Sequence, residues 1–382
     1  MRARRLDDVP GFGIDKVAAA AGDDPEVLRL ENLDTDLSPP PGVVEATQAA
    51  VTRPDGNSWL PFSGRTDLKE AVADHVERRS GVRYDPASEI VITATDGSGM
   101  LDSLLATTEP GDEIVLTDPT YAGMINRVRL AGGVPRFARC EVVDGEWRLD
   151  LDHLRSAVTD RTRALFLQNA TFPTGMVFTQ AEWEAIAELV VERDLHVIYW
   201  GFMESVLFDG REVVHPVSLP GMRERTVVLG GVSIEYRMIG WRVGWAVAPS
   251  EAADAIGVCH VYNGLVASGF TQVGAVAALR SDPANLEAAV AELQRRRDAV
   301  MAQLDGLPAV NASGGWALLL DTEAMGVAPP EASARLLEHK VAATPMTVWG
   351  ETVAPRYVRF VFSREPVDRL ELLGERVRAA LT

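Results

Sequence analysis

Short apolar runs recur along the chain, each bounded by turn residues and followed by a stretch with helical spacing. Ile90-Val91-Ile92-Thr93 reads as a buried strand, followed by a glycine-containing turn and a helix from Ser98. Glu113-Ile114-Val115-Leu116, Ala164-Leu165-Phe166-Leu167, His196-Val197-Ile198-Tyr199 and Thr226-Val227-Val228-Leu229 read as strands in the same way. Runs this short, apolar on successive residues, suit strands covered on both faces. Alternating with helices, they predict an α/β fold, a three-layer sandwich around a mainly parallel sheet. Upstream, residues to about 30 read as an arm with a short helix. Ser38-Pro39-Pro40-Pro41-Gly42 is a rigid turn that opens a helix from Val43 to about Thr52, and Leu68 to Arg79 is an amphipathic helix. A long charged helix, Pro283 to Leu304, hands over to a smaller α/β lobe with strands at Trp316-Ala317-Leu318-Leu319-Leu320 and Tyr357-Val358-Arg359-Phe360-Val361-Phe362. The expected division is an N-terminal arm with part of the small domain (1–45), a large domain (46–283) and a small C-terminal domain (284–382). There are no internal repeats and no low-complexity linker.

Composition narrows the function classes. The 382 residues are 47% hydrophobic and 24% charged, as in ordinary globular proteins. The formal net charge of -18 repels nucleic acid and anionic membranes, so neither is expected as a partner. No apolar stretch reaches the ~18 residues that span a bilayer. Two cysteines, Cys140 and Cys259, build no disulfide framework. The basic start Met1-Arg2-Ala3-Arg4-Arg5 runs into Leu6-Asp7-Asp8 and not into an apolar segment, so a cytoplasmic location is expected. No spacing of His, Cys, Asp or Glu suggests a metal site.

The segment Ser233-Ile234-Glu235-Tyr236-Arg237-Met238-Ile239-Gly240-Trp241-Arg242-Val243-Gly244 carries the most specific chemistry. It resembles the signature of class I/II aminotransferases, the fold-type I enzymes that use pyridoxal phosphate (PLP). That pattern is Ser-Lys, an aromatic two residues on, then Gly-Trp-Arg-x-Gly. The resemblance extends over nearly the whole chain. Trp59-Leu60-Pro61-Phe62-Ser63-Gly64 is similar to an entry segment whose aromatic, here Trp59, reaches the neighbouring subunit's site. Pro110-Gly111-Asp112-Glu113 and Asp118-Pro119-Thr120-Tyr121 match two turns, the second placing an aromatic, Tyr121, against the cofactor ring. Asn169-Ala170-Thr171-Phe172-Pro173-Thr174-Gly175 resembles Asn-Pro-x-Asn-Pro-Thr-Gly, in which the asparagine, Asn169, bonds the cofactor or the substrate carboxylate. Arg242 matches a phosphate ligand, and Arg359 matches the arginine that grips the substrate α-carboxylate in a bidentate fork. The resemblance implies a homodimer.

Departures from the pattern are concentrated where cofactor chemistry is done. The family lysine that holds PLP as a Schiff base is Ile234, which has no nitrogen. The chain's three lysines, Lys16, Lys69 and Lys340, all lie outside the motifs. In register from Asn169, the family's aspartate that pairs with the ring nitrogen is Trp200, and its tyrosine is Met203. Both are expected to fill space the cofactor would take. In the phosphate turn, Thr95-Asp96-Gly97-Ser98-Gly99, Gly97 and Ser98 offer backbone N–H groups. Asp96 reads as a helix N-cap whose charge opposes an anion. Gly231 stands where the family usually has a serine.

Candidates for a replacement acid or base are Glu235, Tyr236, Tyr199, Cys259 and His260; the bland reading of each is a structural side chain. Arg359, on an apolar strand, either binds a ligand or is half of a buried salt bridge. Three functions compete. The first is an aminotransferase-like enzyme acting on an amino acid or related carboxylate, in specialised biosynthesis, without a covalent PLP–lysine link and with PLP non-covalent at most. The second is a PLP-dependent aminotransferase whose lysine was replaced artificially. The third is a non-catalytic binding or scaffold subunit.

Overall fold

The computed structural model describes residues 1–11 and 13–382. Its strands are β1 (Leu28–Arg29), β2 (Ile90–Thr93), β3 (Glu113–Asp118), β4 (Val134–Val143), β5 (Glu146–Leu149), β6 (Thr162–Gln168), β7 (His196–Trp200), β8 (Thr226–Gly231), β9 (Gly244–Val247), β10 (Ala309–Val310), β11 (Ala317–Asp321), β12 (Val341–Ala342), β13 (Thr344–Pro345) and β14 (Tyr357–Val361). Eight of them form one sheet in the order β2-β9-β8-β7-β6-β3-β4-β5. The run from β8 through β7, β6 and β3 to β4 is parallel, and every residue of β3, β7's last four residues and all of β8 are buried. Their continuous apolar character has this cause: helices cover both faces. The α/β sandwich expected from the pattern is therefore the observed architecture.

Two parts of the sheet were not anticipated. β9 runs antiparallel between β2 and β8, and β4 with β5 forms an antiparallel extension at the far edge. A second sheet, β10-β11-β14-β13, is antiparallel throughout. β1, from the start of the chain, pairs in parallel with β12. The expected helices are present as Val43–Val51, Thr66–Ser80, Asp96–Thr107 and Pro283–Gln303. No helix is long and apolar enough to cross a membrane among the described residues.

His196, at the start of β7, is held neutral: burial and Arg163 bring its pKa from 6.5 down to about 4, and its Nε2 has no hydrogen-bond partner. Asp112 opposes that shift only in part. Between pH 4 and 6.5 the unfolded chain binds the proton that the folded chain refuses. Stability therefore rises with pH across that window and is lost on acidification. This side chain alone contributes up to about 3 kcal/mol to the change. His196→Gln is expected to flatten the fall in melting temperature between pH 6.5 and 4.5; an unchanged slope would place the acid sensitivity elsewhere.

Candidate active site

The C-terminal ends of the parallel strands converge on one region, where ligands bind in sheets of this kind. β3 ends at Asp118 and delivers Tyr121. β6 ends at Gln168 and delivers Asn169. β7 ends at Trp200, and β8 leads into the turn that carries Ile234. The Asp118 carboxylate accepts the backbone N–H groups of Glu351, Thr352, Val353 and Ala354 at 3.1, 2.7, 2.9 and 3.0 Å. It thereby fastens the segment bearing Trp349 to the end of β3.

Aromatic rings occupy the convergence point. Tyr121 lies 5.6 Å from both Trp200 and Trp349 and 5.9 Å from Phe172, centre to centre. Trp200 is stacked on Phe202 at 3.5 Å and 7°. Trp200 and Met203 are both buried. Sequence reasoning missed Trp349, because it belongs to no motif and reaches the site only through the loop that Asp118 holds.

Arg359 stands against this cluster. Its side chain is wholly buried, with the guanidinium carbon 4.8 Å from the Phe172 ring centre and 4.6 Å from that of Trp349. Nη2 donates to the Glu31 carbonyl oxygen and, at 3.3 Å, to Thr344 Oγ1. Nε and Nη1 have no hydrogen-bond partner among the described residues. No carboxylate pairs with it among the described residues, so the salt-bridge alternative does not hold. Burial pulls its pKa from 12.5 down to about 9, with Tyr121 and Glu31 opposing. A cation desolvated without a counterion costs several kcal/mol and is suited to receiving an anion. Asn169 is also buried. Its Oδ1 accepts the Phe178 N–H at 3.2 Å, and its Nδ2 is unpartnered.

At the N-terminus of the helix Asp96–Thr107 the cap is Thr95, not Asp96. Thr95 Oγ1 accepts the Ser98 N–H at 2.8 Å, and Ser98 Oγ accepts the Thr95 N–H at 3.0 Å. The Asp96 carboxylate accepts the Gly97 N–H at 2.9 Å and the Trp200 Nε1–H at 3.0 Å. Burial raises the Asp96 pKa, while Arg242, the Gly97 N–H, Trp200 and Arg127 pull it back. Arg242 is exposed and donates to the Ile239 carbonyl at 2.7 Å.

Four of the five acid–base candidates are drawn into internal pairs. Glu235 is buried with Glu204 around one guanidinium: Arg79 donates to Glu204 Oε1 at 2.8 Å and to Glu235 Oε2 at 2.7 Å. Glu235 Oε1 accepts the Ser205 N–H at 2.7 Å, and Tyr199 donates to Glu204 Oε2 at 2.8 Å. Burial raises Glu235, whereas Glu204 is held low by His215 when that ring is protonated and by Arg79. Tyr236 OH is 3.2 Å from His75 Nδ1. His260 is wholly buried, with Nδ1 2.8 Å from Asp102 Oδ2 between two helices. Cys259 beside it is a free thiol, raised by burial. Trp59 remains 75% exposed, edge-on to Phe62.

The family model for aminotransferase class I and II matches residues 26–374. The chain belongs to that family. The aspartate aminotransferase of Pyrococcus abyssi is 30% identical, with 96% of both chains covered. A probable N-succinyldiaminopimelate aminotransferase of Mycobacterium tuberculosis is 31% identical over 88% of this chain and 90% of its own. Among solved structures, the Mycobacterium tuberculosis N-succinyldiaminopimelate aminotransferase superposes with a TM-score of 0.92 at 29% identity, covering 99% of this chain and 98% of that one. Thermus thermophilus aspartate aminotransferase with maleate gives 0.92 at 28% identity, covering all of both.

PLP is the cofactor this family implies, and the residues present do not fit it in the family manner. Ile234, 6% exposed, offers no amine. The Lys69 amine donates to the Ala87 carbonyl at 3.2 Å, the Lys340 amine pairs with Asp24 at 2.7 Å, and Lys16 is exposed on the helix Ile14–Ala21. Trp200, which the sequence register sets against the family's ring-nitrogen acid, presents a donor already given to Asp96. Met203 has no hydroxyl.

Proposed function

We propose that this aminotransferase-family protein is an enzyme that takes up an amino acid or related carboxylate on Arg359 and works without a covalent link between PLP and lysine. The observation that carries the reading is Ile234, buried in an otherwise matching signature whose neighbours in the site, Trp200 and Met203, have also lost the family's cofactor-binding groups. What supports ligand uptake is the buried guanidinium of Arg359, whose Nε and Nη1 each keep a free N–H for a carboxylate oxygen. The relative solved with maleate, a dicarboxylate, supports the same class of ligand. Phe172, Trp349 and Tyr121 exclude water from that guanidinium, which strengthens the charge interaction formed there.

Borohydride reduction of the native protein after incubation with PLP, followed by peptide mass analysis, tests the proposal. No pyridoxyl-lysine peptide is expected, and finding one would refute it. The Ile234→Lys variant extends the test. It regains an amine but still lacks a carboxylate at position 200, so no transamination of common amino acids is expected; the missing acid is equivalent to several kcal/mol of barrier. Measurable turnover in that variant would show that Trp200 does not stand in the acid's place.

A further inference from the structure

A helix N-terminus attracts anions because its first N–H groups are unpaired and its dipole is positive there. In the helix Asp96–Thr107 three of those groups are already used. The Gly97 N–H goes to Asp96 Oδ1, the Ser98 N–H to Thr95 Oγ1, and the Gly99 N–H to the Thr95 carbonyl at 3.1 Å. The turn is also held in place on three sides. A Cβ on Gly244 would lie 2.3 Å from the Asp96 nitrogen, and one on Gly231 3.4 Å from Asp96 Cβ. Across the other side Arg127 donates to the Gly97 carbonyl at 2.7 Å and to the Gly123 carbonyl at 2.9 Å, its Nη2 2.7 Å from where a Gly97 Cβ would be. Trp200, 104 positions away in sequence, closes the arrangement by donating to Asp96.

We infer that the Asp96 carboxylate, held by Trp200, is a built-in substitute for an external phosphate, so that the native chain has no seat for a phosphorylated cofactor. A dianion brought to this turn would meet a buried carboxylate and find the N–H groups of Gly97, Ser98 and Gly99 already bonded. The inference does not depend on Ile234; it closes the site to non-covalent PLP as well.

Calorimetric titration of the native protein with PLP, pyridoxal and inorganic phosphate tests it, alongside Asp96→Ser and the near-isosteric Asp96→Asn. In the native protein PLP and pyridoxal are expected to bind equally weakly, with no heat from inorganic phosphate. In Asp96→Ser, which removes the charge and opens space, PLP is expected to bind at least ~10-fold more tightly than pyridoxal, or ~1.4 kcal/mol. If Asp96→Ser does not fold, Asp96→Asn decides the point, because it removes the charge alone and is expected to shift the same ratio in the same direction. A native protein that prefers PLP over pyridoxal by ~10-fold overturns the inference, as does a folded variant with no such preference. Native preference for PLP without a borohydride adduct would sink this inference and leave the proposed absence of a covalent link standing.

Discussion

Arg79→Met is expected to destabilise the protein by about 3–5 kcal/mol, read as a large fall in the urea midpoint. Among the described residues the guanidinium is the only cationic partner of Glu235, and it shares Glu204 only with His215 at 3.7 Å, whose pKa burial lowers. Removing one partner from a buried ion cluster costs far more than the cluster contributes, because it strands the remaining charges. Here two carboxylates would be stranded. A second substitution, Glu235→Gln in the Arg79→Met background, is expected to recover part of the loss by removing one of them. A midpoint within about 1 kcal/mol of native would show that the carboxylates take up protons at little cost, and that Arg79 is not what holds the 201–205 and 233–238 segments together.

Arg359→Met is expected to move stability and binding in opposite directions. The native guanidinium leaves two nitrogens unpaired between two rings, so an apolar side chain of similar length should raise the stability of the ligand-free protein by ~1–3 kcal/mol. The same change removes the charged anchor of the proposed carboxylate site, at ~2–4 kcal/mol of affinity, or roughly 30- to 1000-fold. A thermal-shift screen of amino acids, keto acids and aromatic carboxylates on both proteins reads the two effects together. Ligands that stabilise both proteins equally would show that Arg359 is structural.

Much of the fold was legible because strands buried on both faces are written as unbroken apolar runs. The β4–β5 extension was not. Along Val134–Val143 only Ala138 and Cys140 are buried, so an edge element leaves no comparable run. β9 was concealed differently: Gly244–Val247 abuts the signature motif, and nothing local indicates that it enters the sheet against its neighbours' direction. The site was legible where chemistry is single-residue. Ile234 lacks a nitrogen in any conformation. The Arg79–Glu204–Glu235 cluster, by contrast, joins residues 125 and 156 positions apart, a separation without a sequence signal. The capping of the helix after β2 was misassigned to Asp96 because two adjacent residues, Thr95 and Asp96, both suit a cap. The Asp96 carboxylate bonds instead to the neighbouring Gly97 N–H and to Trp200, 104 positions away.

The pairing of β1 with β12 has a consequence for how the protein is made. Leu28 donates to the Lys340 carbonyl, Leu30 to the Ala342 carbonyl, and Val361 to the Leu30 carbonyl. Arg359 reaches back 328 positions to Glu31. On the ribosome, the parallel sheet from β3 to β8 can be complete while these partners are still untranslated. The first strand must wait for nearly the last one, and contacts of such separation form slowly. The arginine socket is therefore finished late in synthesis, and a nascent chain carries its central sheet well before Arg359 is seated.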